Sequence, residues 1–497
     1  MIVIGGGPSG TVAARLLASW GHSVLLVTRP FDPSRSLANS LPPSTRKLLE
    51  QVGIADLVEQ VGFRTTGNTV WWGGEERVEP FAGDGPTTGY QIDRARLDPQ
   101  LLDAAAQSGV RIVSDARVSS VHRDHATGMM RVSYSIGLER TTCRAAMVLD
   151  CSGRAGVLAL GERLRRQVPG GRMQALLGVW EREGGWALRD PTHTFIETCD
   201  EGWAWSIPTG HEVRHVGIMV DGATSRLEKD TSLDVSYRRL LARLPRIHDQ
   251  TGEARLARVF ACDASVYTAS SHAGPGFVLV GDAGCTLNPL SSFGVKKALA
   301  SAWLGAVVAN TCVRHPERAQ VACRFFSEWT TQVWNLNLGR SRDFALEALA
   351  RHPSAFWSAQ ASAVVDESAL LHDERALLNE PDVRSALAHM READTIVFSI
   401  GWKATSVSAP VVRGHEIAIE PAVSLGNNSH DVVRYLRGVD LVALSAMAPG
   451  RVGVPEVIEL YQRTHGGASV PDILAALSVL TARGVLEAHA RAPLAHL

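Results

Sequence analysis

The sequence predicts an α/β fold built on a dinucleotide-binding unit, followed near the C-terminus by a helical region with winged-helix character. Three observations predict it. A short β-branched run, Ile2 to Ile4, leads directly into Gly5-x-Gly7-x-x-Gly10. Two later segments, Val148 to Arg154 and Phe277 to Gly284, have the form of a buried strand running into a Gly- and Asp-bearing turn. Beyond about residue 345 the pattern changes to short helical stretches punctuated by Pro353, Pro381 and Pro410.

The first element carries the most chemistry. After Gly10, Thr11 to Trp20 has helical spacing with apolar Val12, Leu16 and Leu17; Gly21 stops it, and Ser23 to Val27 reads as a second strand. Strand, glycine turn, helix and strand within about 30 residues is the context of a Rossmann-like dinucleotide site. Gly5 permits the tight turn, Gly7 lets the backbone approach a pyrophosphate, and Gly10 lets helix and strand pack closely. The helix N-terminus offers free N–H groups and a partial positive charge to the diphosphate. Taken alone, the same glycines also suit an ordinary glycine-rich turn. The second strand ends Val27-Thr28-Arg29, where such sites usually carry Asp or Glu for the ribose. Thr28 offers a weaker hydrogen bond, and Arg29 and Arg35 are candidate cofactor contacts.

Composition bounds the rest. The 497 residues are too many for one simple core, so two or three units are expected. Hydrophobic residues make up 45% and charged residues 20%, the balance of an ordinary soluble globular chain. Lys plus Arg number 50 against 51 Asp plus Glu, for a net charge of −1, which argues against a nucleic-acid or membrane-surface partner for the whole chain. Seven scattered Cys without a Cys-x-x-Cys pair read as reduced thiols, and there is no metal-ligand spacing. No secretory signal opens the chain, and no apolar run approaches the ~20 residues of a membrane span. A cytoplasmic location is expected.

The distant strand ends discriminate between dinucleotides. A carboxylate at Gly281-Asp282, with nearby amides, suits the ribityl chain and diphosphate of FAD, although Asp at a strand end is also a common helix cap. With Gly5 to Gly10, Asp150 to Gly153 and Gly281-Asp282 in this order, the chain resembles flavoprotein monooxygenases of the p-hydroxybenzoate hydroxylase fold over about residues 1 to 340. Gln91-Ile-Asp-Arg94-x-x-Leu97-Asp98 resembles that family's Asp-Arg segment, in which the Arg approaches the FAD. The resemblance implies a discontinuous FAD-binding domain (1–165 and 266–345) around an inserted, mostly β substrate domain (166–265), with a separate C-terminal region (346–497).

A narrower likeness follows. Gly202-Trp203-Ala204-Trp205-Ser206-Ile207-Pro208 matches the Trp-x-Trp-x-Ile-Pro motif of flavin-dependent halogenases; as a bare pattern it is also a strand with Trp203 and Trp205 on one face. The likeness places Trp203, Trp205 and Pro208 near the flavin and the substrate tunnel. Asn39-Ser40-Leu41-Pro42-Pro43 resembles that group's Gly-Glu-Ser-Leu-x-Pro segment with Asn for Glu. Pro289 to Leu299 resembles the loop and helix start beneath the isoalloxazine, which makes Pro289 and Gly294 cofactor candidates, while Ser291 and Ser292 also suit simple helix caps. Halogenases carry a Lys in a Phe-x-x-Lys-x-Gly context. The matching stretch here is Gly62 to Asn68, and no Lys occurs between Lys47 and Lys229. Arg64 does not replace it, because a guanidinium stays protonated and is a poor nucleophile.

A halogenase-like chain without that Lys is similar to the monooxygenases that build tryptophylquinone cofactors (the QhpG, LodB and GoxB type). The likeness implies an FAD enzyme that uses O2 to hydroxylate a Trp side chain of a protein or peptide through a flavin C4a-hydroperoxide. Halogenation of an aromatic substrate and a non-catalytic role as a flavoprotein assembly factor are the alternatives. An external flavin reductase or NAD(P)H is the expected electron source: the lack of a second nucleotide fingerprint suits a separate reductase, although the p-hydroxybenzoate hydroxylase type binds NADPH without one. No catalytic base is nominated; His193, His211 and His215 lie near the Trp motif. In the C-terminal region, helices are expected at Phe344 to Leu349, Ser368 to Leu378, Val383 to Met390, Asp431 to Arg437, Val454 to Thr464 and Val470 to Arg483. Ile473, Leu474, Leu477 and Leu480 form an apolar stripe on the last. The region suits a structural or dimerisation unit, a DNA-binding unit poor in Lys and Arg, or a peptide-binding unit that adds a strand to its sheet edge.

Overall fold

The computed structural model describes residues 1–81, 87–168, 170–222, 232–366, 374–392, 396–402, 406–426 and 431–490. They divide into two compact units, Met1–Val365 and Asp366–Leu497.

The first unit is organised by a six-stranded sheet. Its order is Ala273–Gly274, Phe277–Leu279, Val148–Asp150, Ile2–Ile4, Leu25–Val27 and Arg111–Val113. The central strands are parallel and three residues long, with Ile2, Val3, Ile4, Val148, Leu149, Val278 and Leu279 buried, as expected of strands covered on both faces. Register explains how three distant motifs meet. Ile4 pairs with Asp150, and Asp150 with Leu279, so the glycine fingerprint, the 151–154 turn and the Gly-Asp turn leave adjacent strands at one level. The carboxyl edge of a parallel sheet is where such folds bind ligands. Helix Pro8–Ser19 follows the first turn and helix Gly294–Arg314 the last.

The insertion is mostly β, as expected, but reaches beyond its expected bounds. Its seven-stranded sheet runs in the order Arg255–Asp263, Met173–Glu181, Val213–Asp221, Gly202–Pro208, Thr194–Cys199, Gly67–Trp72 and Glu75–Pro80. The last two strands come from the part of the chain assigned to the first domain; Thr194–Glu197 pairs in parallel with Asn68–Trp71. A smaller sheet joins Ala38–Leu41, Gly89–Asp93 and Phe63–Thr65. Met173, Ala175, Leu177, Trp203, Met219 and Trp357 form the core beneath the large sheet.

The second unit starts later than residue 346. Helix Ala319–Arg351 runs unbroken through 345, and helix Ala355–Ala361 places Phe356 and Trp357 in the first unit's core. Within the second unit, strands Ser406–Arg413 and Glu416–Ser424 form a hairpin, Ile396–Ile400 pairs with Leu486–Ala490, and helices Leu441–Met447, Val454–His465 and Val470–Ala482 share a core of Phe398, Tyr461, Ile473, Leu477 and Leu480. The helix expected at Asp431 to Arg437 is instead two strand fragments, Val432–Val433 and Tyr435–Leu436. Arg437 and Gly438 have φ of 51° and 82°, a turn no helix continues through, and the capping Asp is Asp440, which accepts from the amides of Val442 and Ala443. Pro381 opens a helix (Pro381–Glu392) and Pro410 lies in a strand paired on one side, positions that tolerate proline. Residues 368–373 of the expected helix at Ser368 lie outside the described residues; Glu374–Asn379 is helical. Among the described residues no helix is long and apolar enough to cross a membrane.

Candidate active site: a nucleotide groove beside an aromatic pocket

The level strand ends open on a groove of about 990 Å³. The three fingerprint glycines divide their work there. Gly5 has φ +108°, and a Cβ on it would stand 2.4 Å from the Cys151 carbonyl oxygen; a Cβ on Gly10 would stand 1.8 Å from the Gly5 oxygen. Both keep backbones in contact. Gly7 is different: a Cβ there meets only the Arg94 guanidinium, at 3.3 Å, and the space before it is groove. Thr28 and Arg29 line the groove, and Gly6 packs on the Thr28 hydroxyl.

Arg94 starts helix Arg94–Gln107 and forms a forked ion pair with Asp98 (Nε–Oδ1 2.5 Å, Nη2–Oδ2 2.6 Å) on the groove wall. Asp282 lines the opposite side. Its Oδ1 accepts from the buried Lys297 ammonium at 2.8 Å, and its backbone oxygen accepts from the Tyr267 hydroxyl at 2.7 Å. Gly294 lies at the groove's far end with open space where a Cβ would be, at the start of helix Gly294–Arg314. Asn39, where the halogenase segment has Glu, also lines the groove, and its Oδ1 is buried without a hydrogen-bond partner. Two helix N-termini, three arginines (Arg29, Arg94 and Arg117) and an orphaned acceptor around one long groove suit a dinucleotide carrying a flavin ring.

Not every expected contact reaches the groove. Asp150 is fully buried; its oxygens accept from the amides of Ser152 (3.0 Å) and Leu158 (2.8 Å), so it shapes the 151–158 turn on which Gly153 faces the groove. Burial raises its pKa, against those hydrogen bonds. Arg35 is exposed and donates to the Ala261 carbonyl at 3.2 Å. Pro289 opens the short helical turn Pro289–Ser291 outside the groove wall.

A second cavity of about 220 Å³ is walled by residues 40–42, Thr65, Asn68, Trp72, Phe81, Gln91, Leu290, Phe293 and Phe344, among others. It shares two walls with the groove. Strand Ala38–Leu41 places Asn39 on the groove and Ser40 on the cavity, as strand alternation requires, and the loop before helix Gly294–Arg314 places Phe293 on the cavity and Gly294 on the groove. Trp72 anchors the cavity: its indole N–H donates to the Phe344 carbonyl at 3.0 Å, and its ring stands edge-on to Phe344 (5.9 Å) and Trp357 (5.5 Å). Trp203 supports Trp72 from behind, its ring centre 6.5 Å away. Trp205 covers Gly217, where a Cβ would strike the indole at 2.5 Å, and Pro208 ends the same strand, opposite Arg214. The Trp-x-Trp-x-Ile-Pro strand is therefore scaffold for the cavity wall. Sequence reasoning missed Trp72, Gln91 and Lys297, whose roles depend on neighbours far along the chain.

In the stretch matching the halogenase lysine segment, Thr65 and Asn68 face the cavity, while exposed Thr66 hydrogen-bonds Thr192 (2.8 Å). His193 lies behind this wall, hydrogen-bonded to Thr69 at 3.0 Å, and burial lowers its pKa. His215 is buried, and burial brings its pKa down to about 4. His211 packs on Gly185.

A family model described as FAD binding domain matches residues 1–303, which holds all of the groove's lining. The chain belongs to this FAD-binding family. It is an FAD-dependent oxidoreductase, of the group that holds flavin-dependent halogenases and monooxygenases. As an FAD-binding family member it is 27% identical over 406 residues to a tryptophan 2-halogenase of Chondromyces crocatus, covering 78% of this chain and 74% of that one. It is 28% identical over 331 residues to a menaquinone reductase of Mycobacterium tuberculosis, covering 63% and 76%. Among solved structures, the flavin-dependent halogenase CmlS superposes with a TM-score of 0.78 at 20% identity, covering 98% of this chain and 96% of that one. The peptidyl tryptophan dihydroxylase QhpG, essential for tryptophylquinone cofactor biogenesis, superposes with 0.67 at 22% identity, covering 97% and 98%. At these identities the superpositions establish the shared fold.

Proposed function

We propose that this chain is an FAD-dependent monooxygenase that hydroxylates an aromatic side chain, a tryptophan of a protein or peptide, in the biogenesis of a tryptophylquinone-type cofactor. The observation that carries the reading is the aromatic cavity beside Gly294: Trp72, Phe81, Phe293 and Phe344 wall it, and no lysine is among its lining residues. When bound, reduced FAD would supply two electrons to O2, of which one oxygen atom enters the product and the other leaves as water. The chain does the rest. Arg94, Asp282 and the two helix N-termini would hold the cofactor along the groove, and Gly294 would offer it backbone amides. Trp72 and its aromatic neighbours clamp a flat ring and exclude water, while Ser40, Thr65, Asn68 and Gln91 give one side of the cavity polar groups that orient an indole N–H. O2 and a separate flavin reductase or NAD(P)H complete the system, and the C-terminal unit is the candidate docking element for the peptide.

The test is direct. The protein is reduced anaerobically with FAD bound, then given O2, chloride and bromide together with Trp-containing peptides from candidate partners. A mass gain of one or two oxygen atoms on Trp is expected. Halogen isotope patterns would establish the second reading, aromatic halogenation, which the identity to a tryptophan 2-halogenase favours. That reading calls for an amine, and Lys296, held by Ser44 at 2.9 Å over the Phe293 ring, stands beside one cavity residue. No covalent change with any cognate partner would leave an assembly role.

A further inference from the structure

Two adjacent lysines open helix Gly294–Arg314, and the fold separates them. Lys296 reaches outward to Ser44. Lys297 turns inward, its side chain only 3% exposed, although a buried ammonium is costly unless it is paired. We propose that Lys297 is the positioning residue for Asp282 and, through it, sets the charge balance beneath the flavin. The inference rests on the reading of Asp282 as a carboxylate that contacts the bound FAD from the groove wall.

The geometry supports this from several sides. Lys297 Nζ donates to Asp282 Oδ1 at 2.8 Å and to the Cys285 carbonyl, so it clamps both ends of the Gly281–Cys285 turn. The Asp282 side chain is 39% exposed, on the groove side. One end of this ion pair is thus sealed in the protein and the other is presented to the ligand. Burial works against the Lys297 charge, but Asp282, with Cys285 beside it, holds the amine above its ordinary value. His272, which also faces this region, is kept neutral: burial, with Lys297 nearby, brings it down to about 4. Serine and tyrosine hydroxyls finish the clamp, Ser301 accepting from the Gly281 amide (2.9 Å) and Tyr267 donating to the Asp282 carbonyl. The turn is fixed before any cofactor arrives, and the pair's net charge is zero. A reduced flavin carries negative charge, so an unpaired carboxylate beside it disfavours reduction and an unpaired ammonium favours it.

The experiment is a charge cycle read by flavin midpoint potential and FAD affinity. Lys297→Met is expected to lower the potential and weaken FAD binding about tenfold, and Lys297→Arg to recover most of both. Asp282→Asn is expected to shift the potential upward, and the double variant Lys297→Met/Asp282→Asn to return it toward the parent value. A structural defect alone would not produce opposite signs. Unchanged potential and affinity in Lys297→Met, with Asp282→Asn altering them, overturns the inference about Lys297. If Asp282→Asn changes neither, the reading of Asp282 fails first. Should Lys297→Met not fold, Asp282→Asn decides: a potential that stays or falls overturns the proposal.

Discussion

The groove and the aromatic cavity share two walls yet are built in opposite ways. The groove is made of backbone. Its floor is three strand ends at one register level, helix N-termini open onto it, and two of its glycines, Gly5 and Gly10, stand directly against carbonyl groups. The cavity is made of side chains. Its aromatic walls come from strand Gly67–Trp72, from Phe81 just past strand Glu75–Pro80, from the loop before 294 and from helix Ala319–Arg351. Backbone contacts such as those of Gly5 and Gly10 tolerate no added atom, whereas side-chain sites tolerate exchange of volume and polarity. A family can therefore keep one cofactor while changing what it acts on.

Two substitutions break the comparison at its extremes. Gly10→Val should cost about 4–5 kcal/mol, because its Cβ would overlap the Gly5 carbonyl, which no rotamer can relieve. Purified protein should lack the visible absorbance of bound flavin; retention of a full complement of FAD would show that the helix and strand need not touch. Trp72→Ala should cost about 3–4 kcal/mol from a side chain that is 4% exposed. It removes the cavity wall and not the groove, so the expected result is a lowered melting temperature, FAD still bound and oxygenated product lost. Loss of FAD by Trp72→Ala would mean that the two sites are not separable.

The difference also decides what could be read from sequence. Gly5, Gly7 and Gly10 were legible because strand, turn and helix are contiguous, and each glycine's task follows from that local geometry. Gly281-Asp282 was legible as a second strand end. Asp150 was placed in the correct turn, but its residue type does not reveal that both oxygens are spent on Ser152 and Leu158. Trp203 and Trp205 stood out as a motif, yet the ring in the cavity wall is Trp72, brought there by the parallel pairing of Asn68–Trp71 with Thr194–Glu197, a contact no local pattern encodes. Lys296 and Lys297 look alike in a helix's first turn; only packing buries one of them. In the C-terminal unit, the helix expected at Asp431 to Arg437 starts instead after Asp440, which caps Leu441–Met447.

The groove's buried floor should also respond to acid. His272 is brought by burial from its ordinary 6.5 to about 4. The folded form therefore resists a proton that the unfolded chain accepts, so stability is full above about pH 6.5 and falls as pH drops toward 4. His272 alone should remove up to about 3 kcal/mol at pH 4. His215, also near 4, adds to the slope. Melting temperature measured against pH should show the decline, and His272→Gln should flatten part of it. An unaltered slope in that variant would place the acid sensitivity elsewhere. The cavity has no histidine among its lining residues, so its occupancy by an aromatic ligand should not follow the same curve.

The smallest effect tests the wall that the two sites share. Asn39 and Ser40 are consecutive and face opposite ways. Asn39 Oδ1 is a buried acceptor without a partner, whereas Ser40 donates to Gln91 Oε1 at 2.6 Å on the cavity side. An unfilled acceptor at a ligand site is best explained by a donor on the ligand, and a single such bond is worth about 1 kcal/mol. Asn39→Ala should therefore weaken FAD binding about fivefold, the equivalent of that ~1 kcal/mol, with no change in KM for the aromatic substrate. Ser40→Ala should do the reverse, leaving FAD affinity unchanged and raising that KM. If both variants shift both constants together, strand Ala38–Leu41 moves as one body, and the alternation of its side chains does not insulate cofactor from substrate.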